Sequence, residues 1–83
     1  MAITTEIKES LEREYKICSR TISFYKRQTK ILEKKYNMTT SSFLKKFEKG
    51  KIGDDQVFFD WYAFHKLISS WTNTKNALQA LIK

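Results

Sequence analysis
In the first half of the chain, Leu11, Tyr15, Cys18, Ile22, Tyr25, Thr29, Leu32 and Tyr36 follow one another at alternating steps of four and three. Steps averaging 3.5 residues keep one stripe of an α-helix facing a partner helix. A second series with the same steps runs through Val57, Trp61, Phe64, Ile68, Trp71, Lys75, Leu78 and Ile82. Thr29 and Lys75 are the polar members of the two series. The only glycines, Gly50 and Gly53, lie between them, and the chain has no proline. Breakers therefore punctuate one place between two long uninterrupted stretches. The pattern predicts an all-α fold in a single domain, residues 1–83: a long antiparallel helical hairpin with a short middle helix.

Boundary signals refine this outline. Helix one is expected over about 4–36, opening at Thr4 or Thr5 and closing at Asn37, a residue that tolerates the left-handed conformation. Thr39 or Thr40 can cap a short helix over about 40–49 that carries Phe43, Leu44 and Phe47 and stops at Gly50. A turn over 50–54 leads to Asp54 as N-cap of helix three, about 55–82, with Asp55 in a first turn where the helix dipole favours negative charge. Laid antiparallel, the two seams pair Leu11 with Ile82, Tyr15 with Leu78, Ile22 with Trp71 and Leu32 with Trp61. Thr29 then faces Phe64, and Lys75, near Cys18, must lead its ammonium out to water.

Two helices do not cover everything apolar. Ile17, Phe24, Ile31 and Met38 recur at strict seven-residue spacing, about 100° around helix one from the near edge of its seam. Phe58, Phe59, Trp61, Tyr62 and Phe64 point to nearly every side of helix three, as in a helix buried all round. The short helix can cover part of that cluster but cannot reach Phe24 and Ile17. Protein contact is therefore expected at Ile17, Phe24, Ile31, Met38, Phe58, Phe59 and Tyr62. A homodimer is the expected partner, two hairpins forming a four-helix bundle along this second line. A different protein is the alternative, and a purely structural oligomerisation domain is a third reading.

Charge adds one further possibility. The net charge of +7 is uneven: residues 20–35 carry +5, whereas residues 54–60 carry −3. Arg13, Lys16, Arg20, Arg27, Lys30 and Lys34 form a stripe that is read as lying opposite the apolar lines. Near its start, Glu9 and Glu12 precede Arg13 and Lys16 at the favourable i, i+4 spacing, whereas Lys26, Lys30 and Lys34 repel one another. With Lys45, Lys46, Lys49 and Lys51, the face of Arg20, Arg27, Lys30 and Lys34 could contact an anionic partner, including nucleic-acid phosphates. No aromatic residue is read among these cations for base stacking, and no helix-turn-helix spacing is evident, so a solvated face is preferred.

Catalytic signals are weak. His65 has no second histidine, cysteine or carboxylate at metal-ligand spacing, so no metal, cofactor or small-molecule substrate is expected. Asp54 and Asp55 are explained by capping. Ser41 and Ser42 lack a base and an orienting acid, and no glycine-rich loop could cradle a phosphate. Cys18 lies on the seam as a small core residue and can form no internal disulfide, which fits a reducing compartment. No run approaches the ~18 apolar residues of a membrane span, and a cytoplasmic protein that is not an enzyme is expected.

The stretch from Tyr36 to Trp61 is the most distinctive: Tyr36-Asn37-Met38-Thr39, Phe43-Leu44-Lys45-Lys46-Phe47-Glu48-Lys49-Gly50, Ile52-Gly53-Asp54-Asp55 and Phe58-Phe59-Asp60-Trp61. It resembles a family of short helical prokaryotic proteins, several of which look like the antitoxin of a toxin-antitoxin pair. Asn37 stands where that pattern has glycine. The resemblance covers about a third of the chain and implies a small cytoplasmic protein that neutralises a co-encoded toxin by direct binding.

Overall fold
The computed structural model describes residues 4–82. Three helices follow in order: α1 over Thr5–Tyr36, α2 over Thr40–Glu48 and α3 over Gln56–Ile82. They form a rod of 52 × 21 × 18 Å. All sixteen seam positions of α1 and α3 are buried or half-buried. Contacts along the rod show that the two helices run antiparallel. Tyr36 meets Phe58 near the turn, with ring centroids 5.2 Å apart, and Tyr25 stacks on Phe64 at 5.5 Å. Lys75 lies with its Nζ 5.3 Å above the ring of Tyr15 towards the far end. The ammonium thus rests against an aromatic face, and Lys75 as a whole is half-buried on the seam.

Hydrogen bonds at the helix ends account for where each helix stops. Thr4 Oγ1 accepts from the backbone N–H of Ile7 and opens α1. Asn37, at φ 52°, closes α1, with its own N–H and that of Met38 both donating to the carbonyl of Glu33. Thr39 caps α2 by accepting from the N–H of Ser42 at 3.1 Å. Glu33 Oε2 accepts from the N–H of Thr40 at 2.8 Å, so one α1 side chain ties down the start of α2. We expect Glu33→Ala to cost about 1–2 kcal/mol in thermal or urea unfolding, because a charged acceptor leaves an N-terminal amide unpaired. At the other end of α2, the N–H groups of Gly50 and Lys51 donate to the carbonyls of Phe47 and Lys46. That geometry needs the left-handed φ of 67° that glycine accepts at little cost.

The start of α3 departs from expectation. The helix begins at Gln56, one residue later than a cap at Asp54 requires, so Asp55 holds the preceding position and no acidic residue lies in the first turn. The boundary is set in the backbone: the N–H of Phe58, third residue of the helix, donates to the carbonyl of Asp55 at 3.0 Å.

The core sits at the turn end. Phe43 from α2 lies flat on Trp61 from α3, with ring centroids 4.1 Å apart and planes 2° from parallel, and both are fully buried. Trp61 Nε1 donates to Thr40 Oγ1 at 3.0 Å, which satisfies the polar tip of an otherwise apolar side chain. Thr39 and Thr40, alternatives as caps in the sequence, therefore divide the work: one caps α2 and the other receives the indole. Leu32, Tyr36, Met38, Phe47 and Tyr62 pack around this stack.

Candidate partner-docking face
The residues expected to contact a partner fall into two groups. Phe58 is 7% exposed, packed against Phe43 and Tyr36, and it belongs to the chain's own core. Tyr62 is half-buried and stacks on Phe47 at 4.9 Å. The short helix thus covers more of the aromatic start of α3 than the sequence suggested, because Phe43 and Phe47 both turn towards it. Phe59 alone keeps a large exposed fraction there, 48%, with Phe47 as its one aromatic neighbour, in an edge contact.

Met38 also leaves the group. The left-handed turn at Asn37 takes the next residue out of helical register, so Met38 folds inward against the aromatic core. The remaining three behave differently. Ile17, Phe24 and Ile31 are 45%, 47% and 58% exposed, on the outer side of α1. At 100° per residue, Glu33 lies half a turn from Phe24 around the helix, and Glu33 is where α2 is anchored. α2 therefore attaches on the side of α1 away from this row.

Around the row the charges take up a regular position. The basic stripe is not opposite both apolar lines, as the sequence reading placed it, but runs alongside the second one. Arg13, Arg20, Arg27 and Lys34 repeat every seven residues, and each stands four residues before, or three after, a member of the apolar row. Interleaved, they read Arg13, Ile17, Arg20, Phe24, Arg27, Ile31, Lys34, all exposed, over about 30 Å at 1.5 Å per residue. Phe24 stands at the centre, between two arginines, so an aromatic residue is interleaved with the cations after all. Arg13 Nη2 donates to Ser10 Oγ at 3.1 Å, which holds the first cation of the series beside the row.

Two shallow depressions lie along α1, one at the start of the row and one at the junction with α2. Arg13, Lys16, Ile17 and Arg20 line one, and Lys30, Glu33, Lys34, Asn37, Met38 and Thr39 line the other. Neither is an enclosed cavity with converging catalytic groups. Among the described residues no cluster of three or more His, Cys, Asp or Glu side chains could hold a metal ion, and no helix is long and apolar enough to cross a membrane. Cys18 is buried and free, and His65 is half-buried on α3.

No protein-family model, no curated protein and no solved structure matches the chain. The outer face of α1 has a defined chemistry. It offers apolar contact down its middle and positive charge along one flank, in a strip one helix wide.

Proposed function
We propose that this chain is a protein-binding module that acts by docking a partner on the outer face of α1. The observation that carries the reading is the exposure of Ile17, Phe24 and Ile31, in a strict heptad row, on a helix whose other apolar seam is covered along its whole length. Large apolar side chains left in register on one face mark contact sites, because leaving them in water gains a monomer nothing. The resemblance in residues 36–61 suggests the biological form: neutralisation of a co-encoded toxin by direct binding.

Co-expression with the product of the neighbouring gene tests this reading. The expected result is a complex of fixed stoichiometry that survives size exclusion at high salt. Two proteins eluting separately, with no relief of growth arrest, would contradict the antitoxin form.

Nucleic-acid binding is the second reading, favoured by the exposed Arg20, Arg27, Lys30 and Lys34. Salt separates the two. Four cations on four phosphates lose roughly a hundredfold in affinity over a fourfold rise in salt, whereas an apolar row is nearly indifferent.

A further inference from the structure
We infer that the occupant of the α1 face is one acidic amphipathic helix of another protein, and not a second copy of this chain. The inference rests on the protein-binding reading and names the chemistry of the partner. In coiled-coil terms the face is a second seam, with Ile17, Phe24 and Ile31 as one set of core positions and Arg13, Arg20, Arg27 and Lys34 as the other. A helix laid along it meets apolar and cationic positions alternately. Its complement is a helix with an apolar residue once per heptad and Asp or Glu beside it, so that each carboxylate reaches a guanidinium while the apolar rows close.

Self-pairing fits poorly for the same reason. Two copies of α1 packed antiparallel about Phe24 bring Arg20 of each against Arg27 of the other, and a parallel pair sets every arginine against its own copy. Like charges juxtaposed in an interface discriminate against that partner. A lipid surface fits poorly too. A helix lying in a membrane needs a broad apolar face, whereas this row offers one large side chain per heptad with cations directly alongside. Phosphates would engage the arginines but leave Ile17, Phe24 and Ile31 without a role.

The test is selection from a displayed library of helical peptides about four heptads long, with Leu, Ile or Phe at one core position and Glu, Gln or Lys in equal shares at the other. The whole chain is the bait, and size exclusion with light scattering gives its mass alone. We expect a monomer and enrichment of Glu over Lys by about tenfold or more at the variable position. The Arg20→Glu/Arg27→Glu chain should reverse that preference towards Lys, and its far-UV circular dichroism melt should stay near that of the parent, since both positions are exposed. Enrichment that depends on Phe24 but ignores peptide charge would overturn the acidic partner and leave the docking reading standing. A dimer that Phe24→Asp converts to monomer would do the same, with a second copy as the occupant. Selection that yields nothing, or peptides indifferent to Phe24→Asp, would overturn both.

Discussion
Trp61→Ala should destabilise the chain by about 3–5 kcal/mol, the range for removing a fully buried aromatic side chain. Three losses combine. The face-to-face contact with Phe43 at 4.1 Å disappears, the tilted ring of Tyr36 loses its neighbour at 6.0 Å, and Thr40 Oγ1 loses the indole donor. A domain of this size has roughly 4–12 kcal/mol in hand, and each kcal/mol moves the midpoint by some 4–8 °C. The variant should therefore melt about 12–40 °C lower or fail to fold. Trp61→Phe separates the parts: it keeps a ring on Phe43, and the missing volume and hydrogen bond should cost about 1–3 kcal/mol. Thermal and urea unfolding read both, and a loss below about 1 kcal/mol for Trp61→Ala would contradict the stacked core.

Phe24→Asp should do the opposite to fold and function. Phe24 is 47% exposed and touches only Tyr25 among the aromatic rings, at 5.4 Å in an edge contact. Its replacement should change stability by no more than about 1 kcal/mol, since Asp is a weaker helix former but gains Arg20 and Arg27 at favourable spacing. A partner complex, by contrast, should weaken by about 2–4 kcal/mol, roughly 30- to 1,000-fold, the cost of removing a central aromatic anchor and burying a carboxylate in its place. Calorimetric titration beside a thermal melt gives both numbers. A large loss of stability with unchanged binding would place Phe24 in the core instead.

The hairpin was legible because its determinants are local and repetitive. A 3.5-residue period needs no knowledge of the rest of the chain to select the buried stripe, and every seam residue it selects is covered. Asn37 was legible, and a threonine cap at 39 or 40, because few residue types accept a left-handed φ or present a hydroxyl to a first-turn amide; which threonine was not. The packing of α2 was not, since its placement depends on a non-local bond from Glu33 and on the flat contact of Phe43 with Trp61. That is why Phe58 and Tyr62 looked free in the sequence and Met38 looked like the end of the outer row. The start of α3 lies one residue later because the backbone carbonyl of Asp55, and no aspartate side chain, receives the N–H of Phe58. The alternation of arginines with Ile17, Phe24 and Ile31 is different. It is present in the spacing, but it shows only when the basic stripe is compared with the outer row and not with the seam.

Hydroxyl-radical footprinting of the partner complex tests the docking face most directly, because the chain carries its own controls. Ile17, Phe24 and Ile31 are exposed to nearly the same degree as Phe59 and Leu81, at 48% and 53%. On complex formation, oxidation should fall at the three α1 residues and stay unchanged at Phe59 and Leu81. Protection at Phe59 and Leu81, with Ile17, Phe24 and Ile31 oxidised as in the free chain, would contradict the assignment of the α1 face as the docking surface.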